Sequence, residues 1–217
     1  MNTHEIVKIL AVSVIFSLIV GSGTYGFGTD YYASYINANI SWGSTTDRLG
    51  WMLATLSVNG IHLGIYITSF LLAFSSGLIV FSFCKEYNIS NGIVLLISYV
   101  ILLHTWPIIM STSNVMRQGV MMTFVFITLY FYLSEAWLRV IIFATLAFFS
   151  HKSAVLFVGI MFMVGVYDFA VSQLRLYAVQ RLLLVLIPIV AIFAIYFIFP
   201  IAFGNYDNSR IIGRDFR

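Results

Sequence analysis

Apolar blocks of helix length alternate with short polar clusters along the whole chain, and the clusters mark where the blocks begin and end. Residues 9–20 are apolar, preceded by Lys8 and closed by Gly21-Ser22-Gly23. That arrangement imitates a secretory signal peptide, but further spans follow, so it reads as an uncleaved first helix. A polar connection over residues 21–60 comes next, rich in Gly, Tyr, Ser, Asn and Thr, and reads as an ordered outer-face loop. Within it, residues 48–56 predict a short helix lying in the membrane interface with Trp51 at headgroup level. Residues 61–83 can cross the membrane and end at Lys85-Glu86; 88–92 supply a turn, and 92–110 cross back with Pro107 predicting a kink near His104 and Trp106.

The centre of the pattern is a hairpin over residues 111–166, in which two apolar spans are bracketed by Asn114-Val-Met-Arg117-Gln118 and Ser150-His151-Lys152-Ser153. A helix from Asn114 to Leu133 covers roughly 30 Å, the thickness of the hydrocarbon core, so Arg117 and Glu135 face opposite surfaces. Residues 137–149 return about 20 Å toward the leaflet that holds Arg117, bringing His151 and Lys152 with them. Cations at membrane depth cost about 2.5–3.5 kcal/mol each and are generally kept for a partner, which makes this convergence the default candidate site. Residues 137–149 and 154–166 are only 13 long each. They read as short spans or as half-helices meeting at a break that lines a polar cavity. Residues 182–203 form the last predicted span, for a total of about seven.

Composition agrees with the pattern. Of 217 residues 61% are hydrophobic and 9% charged, with a mean hydropathy of +0.99, against about 25% charged in soluble domains. The blocks are helical in length rather than alternating strands of about ten residues, so the expected class is all-α, a polytopic integral membrane helical bundle and not a barrel. The single cysteine, Cys84, excludes an intramolecular disulfide. The net charge of +3 is scattered, with no Lys/Arg cluster, and excludes nucleic acid as a partner. No metal-ligand spacing, Gly-rich phosphate loop or serine-nucleophile elbow occurs, so neither metal nor cofactor is expected.

Charge also bears on topology. Lys8, Lys85, Arg139, Arg175 and Arg181 fall on one side, and Arg48, Arg117, Lys152, Arg210, Arg214 and Arg217 on the other. The first set sits in short loops close to spans, which places the N-terminus inside. Basic residues on the translocated face then require another reason, and an anionic ligand such as a phosphate is the simplest.

The residues Met116-Arg117-Gln118-Gly119, Phe148-Phe149-Ser150-His151-Lys152-Ser153-Ala154 and Gly28-Thr29-Asp30-Tyr31-Tyr32 resemble motifs of the Wzy/EpsG family of bacterial polysaccharide repeat-unit polymerases, over about residues 20–165. The resemblance implies a multi-pass glycosyltransferase of the bacterial inner membrane, related in fold to lipid-linked-donor transferases. It implies transfer of a growing glycan from undecaprenyl diphosphate to another lipid-linked repeat unit on the outer face, without a metal. Donor, acceptor and membrane lipid would be its ligands, and a chain-length regulator and a flippase its partners. Members of such a family are generally longer than this chain, so 1–217 reads as a single transmembrane domain forming the N-terminal part of a longer polymerase.

Within that frame Arg117 is the candidate diphosphate clamp, because a planar five-donor guanidinium suits it; a snorkelling interfacial anchor is the plainer reading. His151 is a candidate proton donor to the leaving phosphate or a hydrogen-bonding partner of the acceptor sugar, against a satisfied interfacial histidine. Asp30, with Asp47 and Asp207 behind it, is the candidate base, against a turn-forming aspartate. Tyr31, beside Tyr32 and Tyr35, can stack on a sugar or belong to the aromatic belt. Arg48, Gln118, Lys152 and Arg210 are further candidate substrate contacts, while His4 and His62 look like bystanders. Two other functions compete. A transporter or lipid-linked glycan flippase would also hold cations in a cavity, although no paired Gly/Pro-interrupted spans occur in matching halves; a membrane acyltransferase would use an embedded histidine but leaves Arg117-Gln118 unexplained.

Overall fold

A computed structural model describes residues 3–26 and 48–174, apart from 88, 90, 114 and 152. The chain forms two compact units, Met1–Val158 and Gly159–Arg217; of the second, the described part is the helical stretch 159–174. The described elements are α1 (Thr3–Gly21), α2 (Arg48–Ala54), the strand pair β1 (Ser57–Val58) and β2 (Ile61–His62), α3 (Leu63–Glu86), α4 (Gly92–Leu103), α5 (Trp106–Ser113), α6 (Met116–Leu133), α7 (Trp137–Ser150) and α8 (Ala154–Leu174).

Three of these helices, α1, α3 and α6, are long and apolar enough to cross a membrane, and α4 with α5 adds a fourth if the pair is one span. The helical class is as expected from the pattern. The count among the described residues is three or four, because α7 and the stretch Ala154–Tyr167 of α8 are shorter apolar helices and the expected span over 182–203 lies outside the described residues.

The predicted kink is a break. α4 and α5 meet at 56°, with Pro107 in the first turn of α5, where the missing N–H costs nothing. Breaking a helix in an apolar environment frees carbonyls that must be capped. Thr105 Oγ1 donates to the Leu102 carbonyl at 2.8 Å, and His104 Nδ1 lies 2.8 Å from the Val100 carbonyl, which fixes that nitrogen as the donor. At the other end of α4, Asn91 Oδ1 accepts from the backbone N–H groups of Ile93 and Val94 at 3.0 and 3.4 Å and caps the helix inside the expected turn.

The packing centre is α3 rather than the 111–166 hairpin: α3 touches α1, α2, α4, α5 and α6. Its buried positions include Thr68, Ser69, Ala73, Ser75 and Ser76, small residues that let neighbouring backbones approach. The serine hydroxyls are satisfied internally, Ser69 donating to Ile65 O at 2.6 Å and Ser76 to Leu72 O at 2.7 Å. Among the described residues three hydrogen bonds cross between helices: Tyr99 Oη on α4 donates to Ala73 O at 2.7 Å and lies 2.9 Å from Ser13 Oγ of α1, and Ser17 Oγ donates to Tyr66 O at 2.7 Å. A second cluster, Met121, Val125, Ala147 and Ala154, joins α6, α7 and the start of α8. Trp137, Leu138 and Ile141 of α7 are exposed, the apolar outer surface expected of a lipid-facing helix.

Between α2 and α3 the chain folds into a two-residue hairpin. Asn59 and Gly60 both have positive φ, 51° and 78°, and Ser57 pairs with His62 and Val58 with Ile61. Asn-Gly between apolar neighbours is the sequence signal for this type I′ turn. Here it reverses the chain so that α2 and the start of α3 lie together.

Candidate functional site

Arg117 is the second residue of α6, half-buried at the helix start. Its guanidinium sits over the Trp51 ring, 4.1 Å from the centroid. Trp51 is carried by α2, which packs on α3, α6 and α7. The docking is possible because of Gly50: a Cβ there would meet the Ser150 carbonyl group, with its carbon at 3.1 Å, and Arg117 Cβ at 3.4 Å. The start of α6, the end of α7 and α2 therefore meet at one residue without a side chain. Gly119, two residues after Arg117 in α6, makes a similar approach to the Ser111 carbonyl near the end of α5, the carbonyl carbon 3.1 Å from a Cβ built on it.

His151 follows Ser150 directly and joins α7 to α8. Its backbone is extended; its N–H closes α7 on Ala147 O at 3.1 Å, and its carbonyl accepts from Ala154 N at 3.0 Å. The ring closes the break. Ser153 N–H donates to His151 Nδ1 at 3.2 Å, and Ser153 Oγ lies 2.7 Å from the same nitrogen. Since a backbone N–H can only donate, Nδ1 accepts and the neutral ring carries its proton on Nε2. The imidazole is thus tied to the chain through Nδ1.

Of the residues proposed from sequence, Arg117 and the Ser150-His151 corner are brought together around Gly50. Arg48 opens α2, exposed and three residues before Trp51, so it shares that helix face. Gln118 is exposed beside Arg117. Asp30, Tyr31, Lys152 and Arg210 lie outside the described residues, as do Asp47 and Asp207. Trp51, expected at headgroup level, packs against the main buried cluster, which draws on α1 to α6, and carries the guanidinium of Arg117. Gly50 and Ser153 were not singled out. The available signal was a glycine inside a seven-residue helix, which costs about 1 kcal/mol and so implies a close approach.

His62, at the entrance to α3, is half-buried, and burial pushes its imidazole below the ordinary range. Among the described residues no three His, Cys, Asp or Glu side chains are grouped so as to hold a metal ion.

A model of the EpsG family matches residues 8–213. No curated protein matches the chain, and no solved structure does.

Proposed function

The chain belongs to the EpsG family, and from that premise we propose that it polymerises undecaprenyl-diphosphate-linked oligosaccharide repeat units into a surface polysaccharide at the outer face of the inner membrane. The family is associated with a polysaccharide-biosynthesis polymerase of glycosyltransferase type acting on lipid-linked oligosaccharides, and the apolar helices make this a membrane protein. The observation that supports the finer reading is the junction of α2, α6 and α7, which holds a guanidinium over an aromatic face where the chain turns into the His151 corner.

In the proposed reaction an acceptor hydroxyl attacks the anomeric carbon of the donor glycan, the bond from that carbon to the diphosphate oxygen breaks, and lipid diphosphate leaves. Negative charge grows on the leaving oxygen, so donors aimed there stabilise the transition state more than the bound substrate. Arg117 grips the diphosphate in bidentate fashion. His151 presents Nε2–H to a phosphate oxygen; Nδ1, held by Ser153, keeps the ring in that tautomer. Asp30 takes the proton of the acceptor hydroxyl. Arg48, Gln118, Lys152 and Arg210 complete the anionic site, and Tyr31 stacks on a sugar. The N-terminus and the connections at Lys85, Arg139 and Arg175 are cytoplasmic in this scheme.

The test is the length distribution of surface glycan after loss of the gene. Single repeat units at the surface are expected. Absence of surface repeats would indicate a flippase instead, and full-length chains lacking acyl groups an acyltransferase.

A further inference from the structure

We propose that Trp51 is a positioning residue: its ring, brought to the start of α6 by the Gly50 contact, holds the Arg117 guanidinium in the orientation that receives a diphosphate. The inference rests on the reading of Arg117 as the diphosphate grip. It adds a residue from a different segment, one whose own chemistry never touches substrate.

A guanidinium on a long side chain samples many rotamers, and bidentate recognition uses only those that aim its planar fork at the ligand. Stacking on an aromatic face restricts the plane of the guanidinium. The Arg117 guanidinium carbon stands 4.1 Å from the Trp51 centroid, within the roughly 6 Å reach of a cation–π contact. Among aromatic side chains the indole has the strongest face, so tryptophan here is more than bulk.

The seat itself is fixed. α2 is a seven-residue helix, too short to be stable alone. It is held by close backbone approaches at both ends: Gly50 against the Ser150 carbonyl, and the Ala54 carbonyl against Gly64 of α3, with the Leu53 carbonyl 2.9 Å from a Cβ built on Gly64. One of those anchors is the residue before His151. The same contact therefore sets Trp51 under Arg117 and ties that pair to the histidine corner.

The experiment measures polymer extension in isolated membranes supplied with lipid-linked repeat units, with membrane abundance and melting temperature for each variant. The variants are Trp51→Phe, Trp51→Met, Trp51→Leu and Arg117→Ala. Phenylalanine keeps a weaker face, and methionine and leucine are apolar side chains without one. The expected order of rates is Trp, then Phe, then Met and Leu together, with Phe lower by about threefold and Met and Leu by about tenfold at unchanged abundance. Inorganic diphosphate binding to the purified full chain should follow the same order. A series in which Phe and Met are equal overturns the proposal, as does a Met or Leu variant within twofold of wild type while Arg117→Ala is inactive. Loss of abundance in both Met and Leu also overturns it, since Trp51 is then a support of the fold. If Arg117→Ala itself extends chains normally, the reading of the site fails, and that outcome is distinct from a flat Trp51 series.

Discussion

Replacing Gly50 by alanine puts one methyl group where α2 meets the ends of α6 and α7. The new Cβ would meet the Ser150 carbonyl oxygen closer than real Cβ contacts allow, with the carbonyl carbon at 3.1 Å and Arg117 Cβ at 3.4 Å. Two of the three neighbours are backbone of a helix end and cannot rotate away, so α2 must retreat. Overpacking of this kind costs about 1–3 kcal/mol, and a weakened cation–π contact adds about 0.5–1 kcal/mol. Alanine returns about 1 kcal/mol through helix propensity. The net expectation is a loss of about 0.5–3 kcal/mol, a fall in melting temperature of about 1–12 °C for a chain of this size. Thermal unfolding of the purified protein in detergent, followed by tryptophan fluorescence, measures it. Gly159→Ala is the control, because nothing lies within 4 Å of a Cβ there, and it should be neutral or slightly stabilising. A Gly50→Ala protein that melts at or above the wild-type temperature and polymerises normally would refute the docking argument.

Three further outcomes are expected. Tyr99→Phe removes the hydroxyl that joins α1, α3 and α4 and should cost about 0.5–1.5 kcal/mol, as hydrogen bonds between membrane helices do; an unchanged melting temperature would mean the bond contributes nothing. Burial holds His62 below its usual range, so the unfolded chain binds the proton first: stability is full above about pH 6.5 and falls as pH drops toward the folded-state value. His62→Gln should flatten that fall between pH 7.5 and 5.5, and identical curves would exclude His62 as its source. His151→Gln retains an acceptor for Ser153 N–H but loses the titratable ring, so abundance should hold while extension falls by about 10²–10⁴-fold; wild-type ladders would confine His151 to capping α8.

The helical class and the α6–α7 hairpin were legible because both follow from length and apolar periodicity. The break at Pro107 was legible for the same local reason, a missing N–H. What the pattern could not show was tertiary: that α3, with its serines and threonines, would be the packing centre, since small polar residues in a span read locally as weaker hydrophobicity. Trp51 illustrates the same limit. An aromatic in a short amphipathic helix matches a headgroup anchor, and only the Gly50 approach reveals that the ring supports an arginine 66 positions further on. Asn59-Gly60 is different, because its hairpin signal is local and stands in the sequence within the longer loop.

The most direct test of the account is Arg117→Lys in purified protein reconstituted with lipid-linked repeat units. Lysine keeps the charge and snorkels as well as arginine, but offers an ammonium point charge in place of a fork that stacks on Trp51 and grips two phosphate oxygens. The account predicts that chain extension falls almost as far as in Arg117→Ala, with insertion and melting temperature preserved. Extension at the wild-type rate in the lysine variant would contradict it and make Arg117 an interfacial anchor.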